Sequence, residues 1–359
     1  MEVTPFLKAL SEASGVSGYE DEVRGVVQGT FAALADQVRT DAMGNLIALK
    51  RGSGSQEPRR RIMLAGHMDE IGLIVTVIEK GFLRFTQVGG FDVRTLMGQQ
   101  VVVHGRRELP GVIGCRPPHV LSREERNKPV PMEELFIDVG LPKGELEKVV
   151  QVGDLITLRR PFTELQNGLV SGKAFDDRAA VAAIAVCLDA LQTLQHKWDV
   201  FAVATVQEEV GLRGALTSTY GIAPDAGIAI DVGFASQPGV SESHSIELNK
   251  GPALAFGPNI HPLMFEELKR VAEEFEIPVQ VEVAPGGTGT DANAMQITRE
   301  GIPTALLSIP LRNMHTPVET LCVRDVTRTG RLLATFIASL EPDFDLAWKP
   351  RTEQEGEGA

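Results

Sequence analysis

The stretch TVQEEVGLRGA, residues 205–215, closes an apolar run from Val200 to Val206 with two adjacent glutamates, Glu208 and Glu209. The run reads as a buried strand. Carboxylates at the end of a core strand are costly unless something offsets their charge. The pattern recurs along the chain. RIMLAGHMDEIG carries His67 and Asp69 just past an apolar run, GIAIDVGF carries Asp231 at the end of another, and LLSIPLRNMHTPVE carries His315 and Glu319 after a third. GKAFDDRAAV sets Asp176 and Asp177 at the start of a helical pattern. In an open α/β sheet, ligands bind beyond the carboxyl ends of the strands, so these residues are expected to meet.

From about Gln166 onwards, strands and helices alternate. DRAAVAAIAVCLDALQTL places Val181, Ile184, Leu188, Leu191 and Leu194 at helical spacing. HPLMFEELKRVAEEFE is amphipathic through Met264, Leu268, Val271 and Phe275, with Pro262 suited to a first turn. VFAVATV, AGIAIDV, IPVQVEV and PTALLSI read as strands. Such alternation predicts an α/β fold with a mainly parallel sheet. The stretch from Ile71 to Phe162 differs. It offers short strands punctuated by Gly and Pro, with a hairpin signal at Lys80-Gly81. This predicts a small all-β domain, residues 71–162, inserted into a catalytic domain built from residues 1–70 and 163–345. A polar, flexible tail is expected over 346–359.

With 359 residues, 43% hydrophobic and 23% charged, the chain has the balance of an ordinary globular protein. A net charge of −13, spread along the chain, argues against nucleic acid as partner. Cys115, Cys187 and Cys322 are odd in number and far apart, which suggests neither a disulfide framework nor a zinc finger, and fits a reducing cytoplasm. The N-terminal stretch lacks the basic start and unbroken apolar segment of a signal peptide. No apolar run reaches the length of a membrane span.

His67, Asp176, Glu209, Asp231 and His315 together offer two imidazoles and three carboxylates. Buried carboxylates repel one another and take up protons, a conflict that divalent cations remove. The donor set suits zinc or cobalt, then manganese. Two such ions leave room for one bound hydroxide, the nucleophile of a hydrolase. One glutamate of the pair can ligate, while its neighbour takes a proton from the bound water. Asp69 can accept the other ring N–H of His67 and fix its tautomer. Asp177 has a plainer reading, as a helix N-cap with a salt bridge to Arg178. His104, His119, His196, His244 and His261 lack an acidic partner at useful spacing and read as surface, turn or packing residues.

GHMDEIG, AFDDRAAVA, QEEVGLRGA, AIDVGF, GGTGTDANAMQITREGIPT and MHTPVE together resemble the glutamyl, or tetrahedral (TET), aminopeptidase family of metallopeptidases. EASGVSGYEDEVR near the N-terminus, and PPHV and LFIDVG in the insert, resemble it too. The likeness runs from about residue 5 to 340. It implies a di-zinc peptidase-like catalytic domain with a barrel-like dimerisation insert. His67, Asp176 and Asp231 would bind one metal, and Asp176, Glu209 and His315 the other. Glu208 would be the general base and Asp69 would support His67. It further implies a cis peptide between Asp176 and Asp177, and dimers that build hollow dodecamers admitting short peptides. The expected activity is release of N-terminal residues from short peptides. The rivals are a di-zinc carboxypeptidase or N-acyl hydrolase, a glucan hydrolase, and a non-catalytic shell protein. A glucan hydrolase would need a carboxylate pair free of metal.

Overall fold

Residues 1–55 and 57–347 are described by a computed structural model. The expected tail falls, from residue 348, outside the described residues.

Eight strands form one mixed sheet in the order Gln37–Thr40, Leu46–Lys50, Asp199–Thr205, Arg61–His67, Ala226–Phe234, Thr304–Leu311, Ala253–Phe256, Gln280–Val283. The four central strands, from Asp199–Thr205 to Thr304–Leu311, run parallel to one another. Antiparallel pairings lie to either side. Val200, Ile62, Met63, Leu64, Ile228 and Leu307 are buried, as continuous apolar runs in a covered parallel sheet should be.

The helix Phe175–Ala190 was legible as a helix but not as an amphipathic one. Every residue from Phe175 to Leu188 is buried. Its alanines allow close approach to the strand Arg61–His67 on one side and to the helix Val323–Ser339 on the other, so no face is left for water.

Six further strands close into a barrel, in the order Gly72–Glu79, Phe82–Val88, Phe136–Asp138, Glu108–Gly114, Gln100–His104, Leu155–Leu158. Leu73, Val75, Val101, Val103, Ile137 and Ile156 point inward and form a hydrophobic core separate from that of the sheet. The hairpin at Lys80-Gly81 has both central residues at positive φ, 54° and 92°, which matches the twist of the flanking strands. The expectation that His104 lacks an acidic partner is corrected here. Its Nδ1 lies 3.5 Å from Glu108 across the next hairpin; a strand reversal brought together what spacing along one strand could not.

The junction between sheet and barrel is held by a buried charge cluster. Glu70 accepts from Lys173 Nζ at 2.7 and 2.8 Å, from Arg178 Nη2 at 3.1 Å and from the backbone N–H of Gly15 at 3.0 Å. Arg178 also donates to the carbonyls of Leu10, Ala13 and Met68. The salt bridge expected between Asp177 and Arg178 is therefore replaced by one to Glu70.

Glu20, just ahead of the helix Asp21–Leu34, is buried, and burial pushes its carboxyl up to about 7, despite a hydrogen bond from the N–H of Gly18. A carboxyl with a raised folded-state pKa stabilises the fold while protonated, and that contribution is lost as pH rises through the folded value. Glu20→Gln should therefore be more stable than the parent above pH 7, by on the order of 1 to 2 kcal/mol, with the gap closing below pH 5. Urea denaturation at pH 5 and pH 8 checks this; a gap that does not change with pH would count against it.

Candidate active site

Four adjacent parallel strands deliver their carboxyl ends to one edge of the sheet. His67 is the last residue of its strand, Asp231 lies near the end of the next, Glu208 and Glu209 follow Thr205, and His315 follows Leu311. Asp176 enters from the start of its helix. The peptide joining Asp176 to Asp177 is cis. Ala174, Gln207 and His315, each at or within two residues of these side chains, hold φ values of 57°, 55° and 58°. Such conformations persist only where surroundings dictate them, and they concentrate at functional sites.

Asp176 stands at the centre. One carboxylate oxygen is 3.2 Å from His67 Nε2, the other 3.1 Å from His315 Nε2. Glu209 is 3.3 Å from the same His315 nitrogen, and Glu208 is 3.8 Å from His67 Nε2. The donor atoms of His67, Asp176 and Glu209 lie within 4.8 Å of one another, as do those of His67, Asp177 and Asp231. All seven residues named from the sequence are thus brought together.

Asp69 does more than support His67. The Nδ1 of His67 is 3.1 Å from the backbone oxygen of Asp69 and 3.5 Å from its carboxylate. The Asp69 carboxylate accepts from the Ser17 hydroxyl at 2.6 Å and from the N–H groups of Glu208 and Glu209 at 3.1 and 3.3 Å. It therefore positions the imidazole and both glutamates together.

Two acids carry more than their sequence reading assigned. Asp177 is fully buried. It accepts from the His67 N–H at 3.2 Å, and its other oxygen has no partner. Glu319 accepts from the N–H of both Asp176 and His315, at 3.1 and 3.0 Å, and so fixes those two residues against each other. Its position in MHTPVE was visible in the sequence, but its role depends on a chain reversal that the sequence does not display.

The electrostatics are one-sided. Burial, with neighbouring acids, drives the Asp177 and Asp231 carboxyls well above their ordinary range and Glu208 up to about 9. Glu209 and Glu319 also shift up, with burial again the largest cause. Burial would lower His67, yet Asp176 and Asp69 outweigh it and hold the imidazole well above its usual value. Asp176, then Glu209, raise His315 to about 11. Among the described residues, no lysine or arginine pairs with any of these acids. Surplus buried carboxylate, one orphaned oxygen and two imidazoles make a donor set that fits divalent cations.

The cluster opens into a cavity of about 630 Å³, walled by Leu212, Phe234, Val283, Thr288 and Met314. A larger groove of about 920 Å³, beside Phe256, Ile260 and Ile302, contains none of these ionisable residues.

A profile of the M42 glutamyl aminopeptidase family matches residues 44–332. The lysyl aminopeptidase of Pyrococcus furiosus is 40% identical over 347 residues, covering 94% of this chain and 98% of that one. The structure of a TET aminopeptidase from a marine-sediment Thaumarchaeota archaeon superposes with a TM-score of 0.89 at 35% identity, over 94% of this chain and 96% of the other. The TET1 peptidase of Pyrococcus horikoshii, described as assembling into a tetrahedron or a large octahedral shell, gives 0.82 at 33% identity, over 94% and 100%. The histidine–carboxylate edge therefore has a family, as does the barrel beside it: the chain belongs to the M42 glutamyl aminopeptidases and is an aminopeptidase.

Proposed function

We propose that this enzyme releases N-terminal residues from short peptides with two divalent metal ions bound, zinc or cobalt first and manganese next. His67, Asp176 and Asp231 would hold one ion, and Asp176, Glu209 and His315 the other. When bound, such ions polarise a peptide carbonyl and lower the pKa of water. Glu208 takes the proton of the attacking water and returns it to the departing amine. Asp69 holds His67 and the glutamate pair in register for that transfer. Asp177 and Glu319 keep the ligands in place by accepting their backbone N–H groups. One observation carries the reading: a single buried carboxylate, Asp176, within 3.2 Å of two imidazoles on two different strand ends.

The segment 71–162 is taken as the dimerisation domain, with dimers building a dodecamer and the substrates limited to peptides that can enter it. We also place the enzyme in the cytoplasm. Among the described residues, no helix is long and apolar enough to cross a membrane, and the three cysteines are unpaired.

The decisive experiment is hydrolysis of a panel of aminoacyl anilides alongside N-blocked peptides, before and after chelation. Free-amine substrates should be cut. Activity should vanish on metal removal and return with zinc, cobalt or manganese. Cleavage of blocked substrates alone, or activity indifferent to chelation, would replace this reading with one of its rivals. A native mass of one or two 38.8 kDa chains would remove the cage.

A further inference from the structure

The names of family and relative point to different N-terminal residues, glutamyl in one and lysyl in the other, so they do not choose a substrate for this chain. The cavity does. We propose that Glu282 makes this enzyme prefer peptides whose first residue is basic, lysine or arginine. The inference rests on the aminopeptidase reading above.

Glu282 lies on the edge strand Gln280–Val283, in register with Ala255. Both line the cavity that holds the metal-ligand cluster. Among the described residues lining that cavity there is no lysine or arginine, and Glu282 is the one charged side chain outside the cluster itself. Among the described residues, no hydrogen bond or ion pair engages its carboxylate. A half-buried carboxylate without a protein partner, lining a substrate cavity, is available to pair with a cationic group on the substrate.

Its distance from the chemistry selects which part of a peptide it meets. A Cβ built on Gly233 would lie 3.5 Å from Glu282 Oε2. Gly233 is two residues beyond Asp231 on the same strand, so it shares that residue's face at roughly 7 Å. The α-amine of a substrate is two bonds from the scissile carbonyl carbon and must sit against the cluster itself. The end of a lysine or arginine side chain lies about one side-chain length farther on, which is where Glu282 stands. Gly233 itself lies tight against its neighbours, since a Cβ there would come within 2.9 Å of Ser308 Cβ.

The walls suit the same guest. Leu212, Phe234, Val283 and Met314 give apolar surface for a long methylene stem, and a carboxylate at the far end takes the charge. That is how long cationic side chains are accommodated. An acidic first residue would meet like charge instead.

The test is the kcat/KM ratio of lysyl to leucyl anilide, and of lysyl to glutamyl anilide, in the metal-loaded enzyme. The parent should favour lysyl and arginyl substrates over both. Glu282→Gln should lower the lysyl-to-leucyl ratio by about tenfold or more, mainly through KM. Glu282→Lys should reverse the lysyl-to-glutamyl ratio. Because each variant is scored as a ratio between substrates, a general loss of folding or metal cancels. A parent that cuts free-amine substrates without favouring basic ones overturns this inference and leaves the aminopeptidase reading intact. Ratios unmoved by both variants do the same. A metal-loaded parent that cuts no free-amine substrate sinks both.

Discussion

Glu208→Gln is expected to keep the metal content of the parent and to lose about 10²- to 10⁴-fold in turnover. The change is nearly isosteric and leaves the N–H of residue 208 bonded to Asp69 at 3.1 Å, so the ligand geometry has no reason to shift. What disappears is the carboxylate that the assignment leaves free to take the proton of the attacking water. Burial holds the Glu208 carboxyl up to about 9, even with the His67 imidazole 3.8 Å away. Divalent cations would draw that value down and restore a working carboxylate. Metal analysis and steady-state rates measured on one preparation check the claim. Near-parental turnover in a metal-replete Glu208→Gln protein would return this residue to the ranks of structural acids.

Asp176→Asn is expected to do the opposite: to lose metal first and activity as a result. Among the described residues, Asp176 is the one carboxylate within 3.2 Å of both imidazoles, and its own pKa is pulled below the usual range because His315 and His67 outweigh its burial. An amide keeps the size and removes the charge. Changes to groups that merely orient a ligand cost about 10- to 100-fold in metal affinity, so loss of a ligand shared by two ions, the role proposed for Asp176, should cost more. Dialysis against dilute zinc followed by elemental analysis, with anilide hydrolysis alongside, gives the answer. Two retained ions and normal rates would refute the bridging role.

Much of this was readable before any coordinates. Six of the seven proposed site residues were named because they follow apolar runs long enough to be strands, and parallel strands must end on a common edge; Asp176 was named from the start of a helical pattern. The hairpin at Lys80-Gly81 was readable from the residue types its turn demands. What stayed hidden has a common physical cause. Asp177, Glu319 and the Glu70–Lys173–Arg178 cluster act through backbone N–H groups or through partners more than a hundred residues away. Neither kind of contact leaves a spacing in the sequence. The all-round burial of the helix Phe175–Ala190 was hidden likewise: its alanines are compatible with any environment, and only the neighbours decide.

The five proposed ligands enter the chain in the order 67, 176, 209, 231, 315, so the last arrives when most of the polypeptide already exists. Pairings between elements so far apart in the chain form late in folding. A ribosome-bound fragment that ends before His315 has the first strand ends yet lacks the second imidazole, and so cannot complete the cluster. By the proposed assignment, the site is therefore finished only after residue 315 has been made and folded back onto strand ends laid down much earlier.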